Sequence, residues 1–180
     1  MSFTTFRFAL FAAALLMVYY RLPGKWQWTV LLAGSWCFYL AAGAEYLFFL
    51  LFTTLSTYTA VTVMAKNLAS MDKKAAKRKN KPWMAACLSL NFAILAVCKG
   101  CLLTPFQLGR LSFLSLGLPL GISFYMFQSM GYVVDVYRGT AKAERNPLKL
   151  SLFVSYFPQL IQGPISKYNQ LAPQLFSPHP

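Results

Sequence analysis

Apolar residues in this chain come in blocks of about twenty instead of stripes. Residues 3–20, 26–44, 46–65, 82–101 and 111–136 are each interrupted by charge at most once, and short polar connectors separate them. A helix rises 1.5 Å per residue, so about 20 residues cross a hydrocarbon layer of about 30 Å. The pattern predicts an all-α, polytopic membrane protein. Residues 1–180 form one transmembrane region with spans near 3–20, 26–44, 46–65, 82–101 and 111–136.

A sixth apolar block, residues 150–165, is shorter and is broken by Pro158, Gly163 and Pro164, with Gln159 and Gln162 beside the breaks. Irregular, polar backbone at membrane depth is tolerated only where protein covers it or it lines a cavity. The block therefore predicts a broken or re-entrant helix lining a cavity; a helix lying at the interface is the alternative. Residues 166–180, with Pro173, Pro178 and Pro180, read as a connector. Residues 66–81 carry seven basic side chains against Asp72 alone and read as a polar loop. The first block ends in Tyr19, Tyr20 and Arg21 with no small-residue cleavage site after it, so it reads as a retained helix instead of a signal peptide.

The fifth block holds the strongest candidate chemistry. At 100° per residue Tyr125, Gln128, Tyr132 and Asp135 fall on one stripe about 80° wide. Polar groups at membrane depth are costly and face protein or water. Tyr125, Gln128 and Tyr132, with Gln159 and Gln162, are the substrate-pocket candidates. Gly117, Pro119 and Gly121 precede the stripe; small residues at that spacing let a neighbouring helix approach, and the proline favours a kink. Asp135 is expected to pair with Arg138 one turn later and anchor the helix end. Asn91, alone in the fourth block, is expected to make an interhelical hydrogen bond.

Composition sharpens the class. The chain is 57% hydrophobic and 12% charged, against about 25% charged in soluble domains, which excludes an ordinary soluble fold. The net charge of +13 sits in connectors between apolar blocks, where the positive-inside rule accounts for it, so nucleic acid is not an expected partner. With the 66–81 stretch inside, 13 of the 17 basic residues are cytoplasmic and the N-terminus is extracytoplasmic. Cys98 and Cys101 are formally C-x-x-C, but their apolar setting favours packing over redox or metal chemistry. The single histidine, His179, lies between Pro178 and Pro180, and no nucleophile motif, paired carboxylate or metal-ligating cluster is present.

Residues 119–139 (PLGISFYMFQSMGYVVDVYRG) and 157–165 (FPQLIQGPI) together resemble the membrane-bound O-acyltransferase family. Within it they are most similar to the bacterial branch that acetylates alginate and other envelope polysaccharides or D-alanylates teichoic acids. The resemblance is to the N-terminal part of a family member. It implies an inner (plasma) membrane enzyme that moves an acyl group, most simply acetyl, onto polysaccharide hydroxyls. No bound cofactor is implied, only an acyl donor such as acetyl-CoA or an acyl-carrier protein. The bilayer, a cytoplasmic acyl carrier and an extracytoplasmic acetyl-transfer protein are the implied partners. The family's essential histidine sits in an apolar segment that nothing here matches, and His179 does not substitute for it. No catalytic residue is therefore assigned, and the chain alone is expected to be inactive. A non-enzymatic membrane scaffold and a transporter subunit stay open as alternatives.

Overall fold

The computed structural model describes residues 6–103, 121–159 and 166–177. These form seven helices and no strand: α1 (Phe6–Arg21), α2 (Gly24–Ala42), α3 (Ala44–Ser70), α4 (Lys73–Leu103), α5 (Ile122–Arg138), α6 (Pro147–Ser155) and α7 (Tyr168–Phe176). The all-helical expectation holds among the described residues. Two helices, over Tyr46–Ser70 and Lys73–Cys98, are long and apolar enough to cross a membrane; α1 is a shorter apolar helix. The first part of the expected fifth span, residues 111–120, lies outside the described residues.

Connections are short. Leu22 and Pro23 join α1 to α2, Gly43 alone joins α2 to α3, and Met71 and Asp72 join α3 to α4. Consecutive helices joined so tightly must run antiparallel and pack side by side. In the centre, α3, α4 and α5 pack on one another, while α2 and α6 close a second side and α1 lies along α2. The buried positions follow from helical period. On α3 they are Leu50, Thr53, Thr54, Thr57, Ala60, Val61, Met64 and Asn67; on α4 they are Ala76, Asn80, Cys87, Asn91, Leu95 and Cys98. Asn91 donates to Ser56 Oγ across the α3–α4 seam at 3.4 Å, as expected, and to the Cys87 carbonyl at 2.8 Å.

The outward faces are apolar too. Phe6 on α1, Phe48 and Leu55 on α3, Phe92 and Val97 on α4 and Phe124 on α5 are exposed. In water such a surface would associate; against lipid tails it costs nothing. α5 turns only Phe124, Phe127 and Gly131 outward at its core and buries the rest of its circumference. This accounts for the burial of Val133, which sits away from the polar stripe.

Three expectations need correcting. The stretch 66–81 is not a loop: α3 runs on to Ser70, and α4 begins at Lys73, nine residues before Pro82. Pro82 thus lies inside a helix, where it offers no N–H to the preceding turn, at a cost of about 3 kcal/mol. Tertiary contact outweighs this, because Ala76 and Asn80 are buried against α3. Asn67 Nδ2 donates to Asn80 Oδ1 at 2.7 Å, and Asn80 Nδ2 donates to the Met64 carbonyl at 3.0 Å. Second, residues 168–176 are helix α7 and not a connector: Tyr168, Ala172 and Leu175, at i, i+4 and i+7, are buried in spite of Pro173. Third, Asp135 does not pair with Arg138. Its carboxylate accepts the Thr140 hydroxyl at 3.2 Å, and its carbonyl accepts the Thr140 and Ala141 amides, closing the turn after α5 around left-handed Gly139.

The α1–α2 contact depends on a missing side chain. A Cβ on buried Gly34 would lie 2.5 Å from Leu15 Cδ1. Gly34→Leu should therefore push α1 away and cost about 1–3 kcal/mol, the usual range for overpacking. Gly34→Ala should cost less, because the Leu15 tip can turn aside. Thermal unfolding of the purified chain in detergent checks both.

Candidate functional site: a polar seam around the broken helix

α6 is built to start sharply and to stop inside the protein. Asn146 caps it by accepting the Leu148 amide at 2.9 Å, and Pro147 supplies a preset first residue. After Ser155 the chain leaves the helix and turns through Tyr156, Phe157 and half-buried Pro158, so the last carbonyls of α6 have no next turn to serve them. Aromatic packing clamps this break. Buried Phe157 stacks on Phe38 of α2 with centroids 5.3 Å apart, and Phe8 and Phe11 of α1 flank it at 6.3 and 5.8 Å.

The polar stripe of α5 faces the break. Gln128, 6% exposed, donates through Nε2 to the Phe153 carbonyl at 3.0 Å and to Gln159 Oε1 at 3.1 Å. The two candidate glutamines are thus brought together, 31 residues apart in sequence. Both hydrogen bonds of the Gln128 amide nitrogen are used in holding the turn. Gln159 is half-buried. Tyr125, fully buried, lies against Tyr39 of α2 with centroids 6.4 Å apart. The hydroxyls of Tyr39, Tyr125, Ser35 and Ser155 are buried without hydrogen-bond partners. Burying a hydroxyl unpaired costs about 1–3 kcal/mol, so several together mark a polar interior out of keeping with simple core packing. Gly121, left-handed at φ 73°, is the residue from which α5 starts.

Tyr132 is also brought inside, but its hydroxyl is committed. It donates to the Lys142 carbonyl at 3.1 Å and accepts the Glu144 amide at 2.7 Å. Next to it Tyr168 of α7 stacks at 4.6 Å and donates to Glu144 Oε2 at 2.6 Å, while Glu144 Oε1 accepts the Asn146 amide at 2.9 Å. Tyr132, Glu144 and Tyr168 therefore tie α5, the capped start of α6 and α7 into one knot. Glu144 and Tyr168 escaped the sequence reading. The signals that point to them are the i, i+4, i+7 spacing of Tyr168, Ala172 and Leu175 and the rarity of acids in a chain with four. Gly117, Pro119, Gln162, Gly163, Pro164 and His179 lie outside the described residues, as does the side chain of Cys101.

The seam offers hydrogen-bond donors and acceptors in an apolar enclosure, which suits binding and orienting a polar substrate. Among the described residues no group of three or more His, Cys, Asp or Glu could hold a metal ion. No imidazole lies among the described residues either, and the carboxylate nearest the seam, Glu144, is bonded to the Tyr168 hydroxyl and the Asn146 amide.

Burial, and after it the hydrogen bond to Glu144, raises the Tyr168 phenol above its ordinary value near 10. A raised phenol pKa means the folded state holds the proton more tightly. The stabilisation is complete below about pH 10 and is lost as pH rises above it. Tyr168→Phe should remove a bond to a charged acceptor, worth about 2 kcal/mol, and free α7 from the bundle. Hydrogen exchange of the 168–176 amides measures the loss, and it should shrink at alkaline pH.

Seen beside known proteins, this seam sits in a chain related to the bacterial O-acetylases. The chain is 31% identical over 174 residues to the probable alginate O-acetylase AlgI of Pseudomonas putida, an alignment covering 92% of this chain and 35% of that protein. It is 32% identical over 165 residues to the AlgI of Pseudomonas fluorescens, with 92% and 31% covered. Over 121 residues it is 31% identical to the peptidoglycan O-acetyltransferase of Helicobacter pylori, with 51% and 23% covered. The resemblance carried by the two motif blocks therefore holds. The chain spans about a third of the length of the curated relatives it matches in the first of these alignments. No family model matches the chain, and no solved structure matches it.

Proposed function

We propose that this chain forms the front part of a membrane enzyme that transfers an acyl group, acetyl in the simplest case, to hydroxyls of a cell-envelope polysaccharide. The observation that carries this reading is the Gln128–Gln159 contact at a helix break, within a chain whose likeness to alginate O-acetylases covers 92% of its length. On this reading the protein is multi-pass in the inner membrane with five spans, α1 to α5, and the N-terminus is extracytoplasmic. The break after α6 lines a polar cavity. Tyr125, Gln159 and Gln162 bind substrate there, with Gln128 and Tyr132 positioning them. Gly117, Pro119 and Gly121 shape the start of α5, Asp135 and Arg138 mark its cytoplasmic end, and Pro158, Gly163 and Pro164 shape the break.

Acyl transfer to a hydroxyl needs a base for the hydroxyl proton and a donor that polarises the carbonyl. Amides and phenols in this seam can hold a carbonyl or a sugar hydroxyl, but they are poor bases near neutral pH. On this reading the base comes from outside the described residues, because the carboxylate nearest the seam, Glu144, is taken up by Tyr168 and the Asn146 amide. The acyl donor is acetyl-CoA or an acyl-carrier protein on the cytoplasmic side, and an extracytoplasmic transfer protein is the partner that hands the group on. A membrane accessory protein without chemistry is the second reading, favoured by the single histidine flanked by prolines.

Two experiments test the proposal. The purified 180-residue chain, offered acetyl-CoA and a polysaccharide acceptor beside a full-length relative, should give no transfer above background. Transfer that vanishes in His179→Ala would make that residue catalytic and overturn the assignment. In the full-length relative, alanine at the positions matching Gln128 and Gln159 should lower transfer by about 100-fold through misplacement of the substrate, with the fold retained. Unchanged transfer in both variants would end the cavity role.

A further inference from the structure

The first nine residues of α4 form a helix against their charge pattern. Lys73, Lys74, Lys77, Arg78, Lys79 and Lys81 are all exposed, and the first turn carries no acid. Cations at a helix N-terminus oppose the macrodipole. Lys73, Lys77 and Lys81, and likewise Lys74 and Arg78, stand four residues apart, the spacing at which like charges repel. Lys77 reaches the Tyr137 ring, 5.7 Å to the centroid, and no ion pair neutralises any of the six among the described residues. Asp72, just before Lys73, suits a helix start there and its carbonyl accepts the Ala76 amide at 2.9 Å, but Pro82 would be at ease as a first residue, and the charge repulsion favours a helix that starts at Pro82 with residues 73–81 unwound. Buried Ala76, the bonds of Asn80 to α3 and the Lys77–Tyr137 contact hold the segment in place.

The geometry points to an anionic phospholipid surface as the missing counterpart: residues 73–81 are a helical extension stabilised by lipid headgroup phosphates. Exposed Trp83 marks the interface. With 1.5 Å of rise per residue, Lys81 stands about 3 Å beyond it and Lys73 about 15 Å. The headgroup layer adds about 5–8 Å on each side of the hydrocarbon. Lys77, Arg78, Lys79 and Lys81 thus stand at headgroup depth or just beyond it, while Lys73 and Lys74 can bend back to its outer edge. Five of the cations span about 140° of the helix and Lys79 lies about 100° past them. One docked protein would meet a single face, whereas headgroups surround the helix and reach all of them. This inference rests on the membrane reading above and adds a lipid class to it.

The test uses the full chain in vesicles of phosphatidylcholine alone and of phosphatidylcholine with about one third phosphatidylglycerol, read by amide hydrogen exchange. In the anionic vesicles the amides of residues 75–81 should exchange about tenfold more slowly than in the neutral ones. The amides of residues 84–98 should be equally protected in both, showing that the bundle is intact. With Lys73→Gln, Lys74→Gln, Lys77→Gln and Arg78→Gln combined, the segment should be protected in both lipids, because the repulsion is gone. The milder pair Lys74→Gln with Arg78→Gln should shrink the difference if the fourfold variant does not fold. Equal exchange of the wild-type segment in the two lipids overturns the proposal. So does protection that needs an added acidic protein and ignores the lipid. A chain that enters neither vesicle overturns the membrane reading and this proposal with it.

Discussion

A helix that ends inside a protein must find partners for its last carbonyls, and at the end of α6 Gln128 supplies one. Its amide donates to the Phe153 carbonyl at 3.0 Å and holds Gln159 at 3.1 Å. A buried backbone group left unpaired costs about 1–3 kcal/mol, so a break inside the protein is tolerated where such a partner exists. The rest of the bundle is arranged to deliver it. α5 must be central, because Gln128 has to reach the break from inside. α1 and α2 must lie alongside, because Phe8, Phe11 and Phe38 hold Phe157 in place. Replacing Gln128 by a leucine of similar size would keep the packing and remove the reason the break is tolerated.

The same logic explains why the end of α5 at Arg138 is knotted and not merely looped. The turn after α5 leaves backbone amides that α6 cannot use, and Tyr132, Asp135 and Glu144 take them up one by one. Tyr168 then joins α7 to the set through Glu144. Each bond alone is modest, but they share members, and a shared network resists piecemeal opening. A seam whose walls come from α2, α5 and α6 is thereby fixed from both ends: by aromatic stacking at the break and by hydrogen bonds at the turn.

How much of this could be read from residues alone depended on whether a signal survives averaging over a whole span. Long apolar blocks do, so the all-helical character and the order of α1 to α5 were legible. The stripe of Tyr125, Gln128 and Tyr132 was legible as well, because three polar residues on one face stand out against phenylalanine and valine. The start of α4 was not: six cations conceal the two buried positions, Ala76 and Asn80, that decide the helix, and Pro82 argues for a later start. α7 was hidden in the same way by Pro173. Asp135 and Arg138 show the limit of pair rules. Helical spacing allowed them to meet, but Gly139 turned the chain so that the Thr140 hydroxyl arrived first, closer and with less side chain to immobilise.

The chemistry divides along a similar line. Glutamine and tyrosine placed in an apolar enclosure hold substrates well because they are polar without charge, and entering such a place neutral avoids the penalty that drives charged groups out. For the same reason they do not remove protons near neutral pH. A site that must do both therefore needs a second kind of residue whose charge changes easily, and histidine is the one whose unperturbed pKa falls in the right range. Among the described residues, the seam built by α2, α5 and α6 carries residues of the first kind and no histidine. Its conformation is fixed by contacts internal to these helices, from Phe157 at the break to Glu144 at the turn, so it does not need the proton acceptor in order to form.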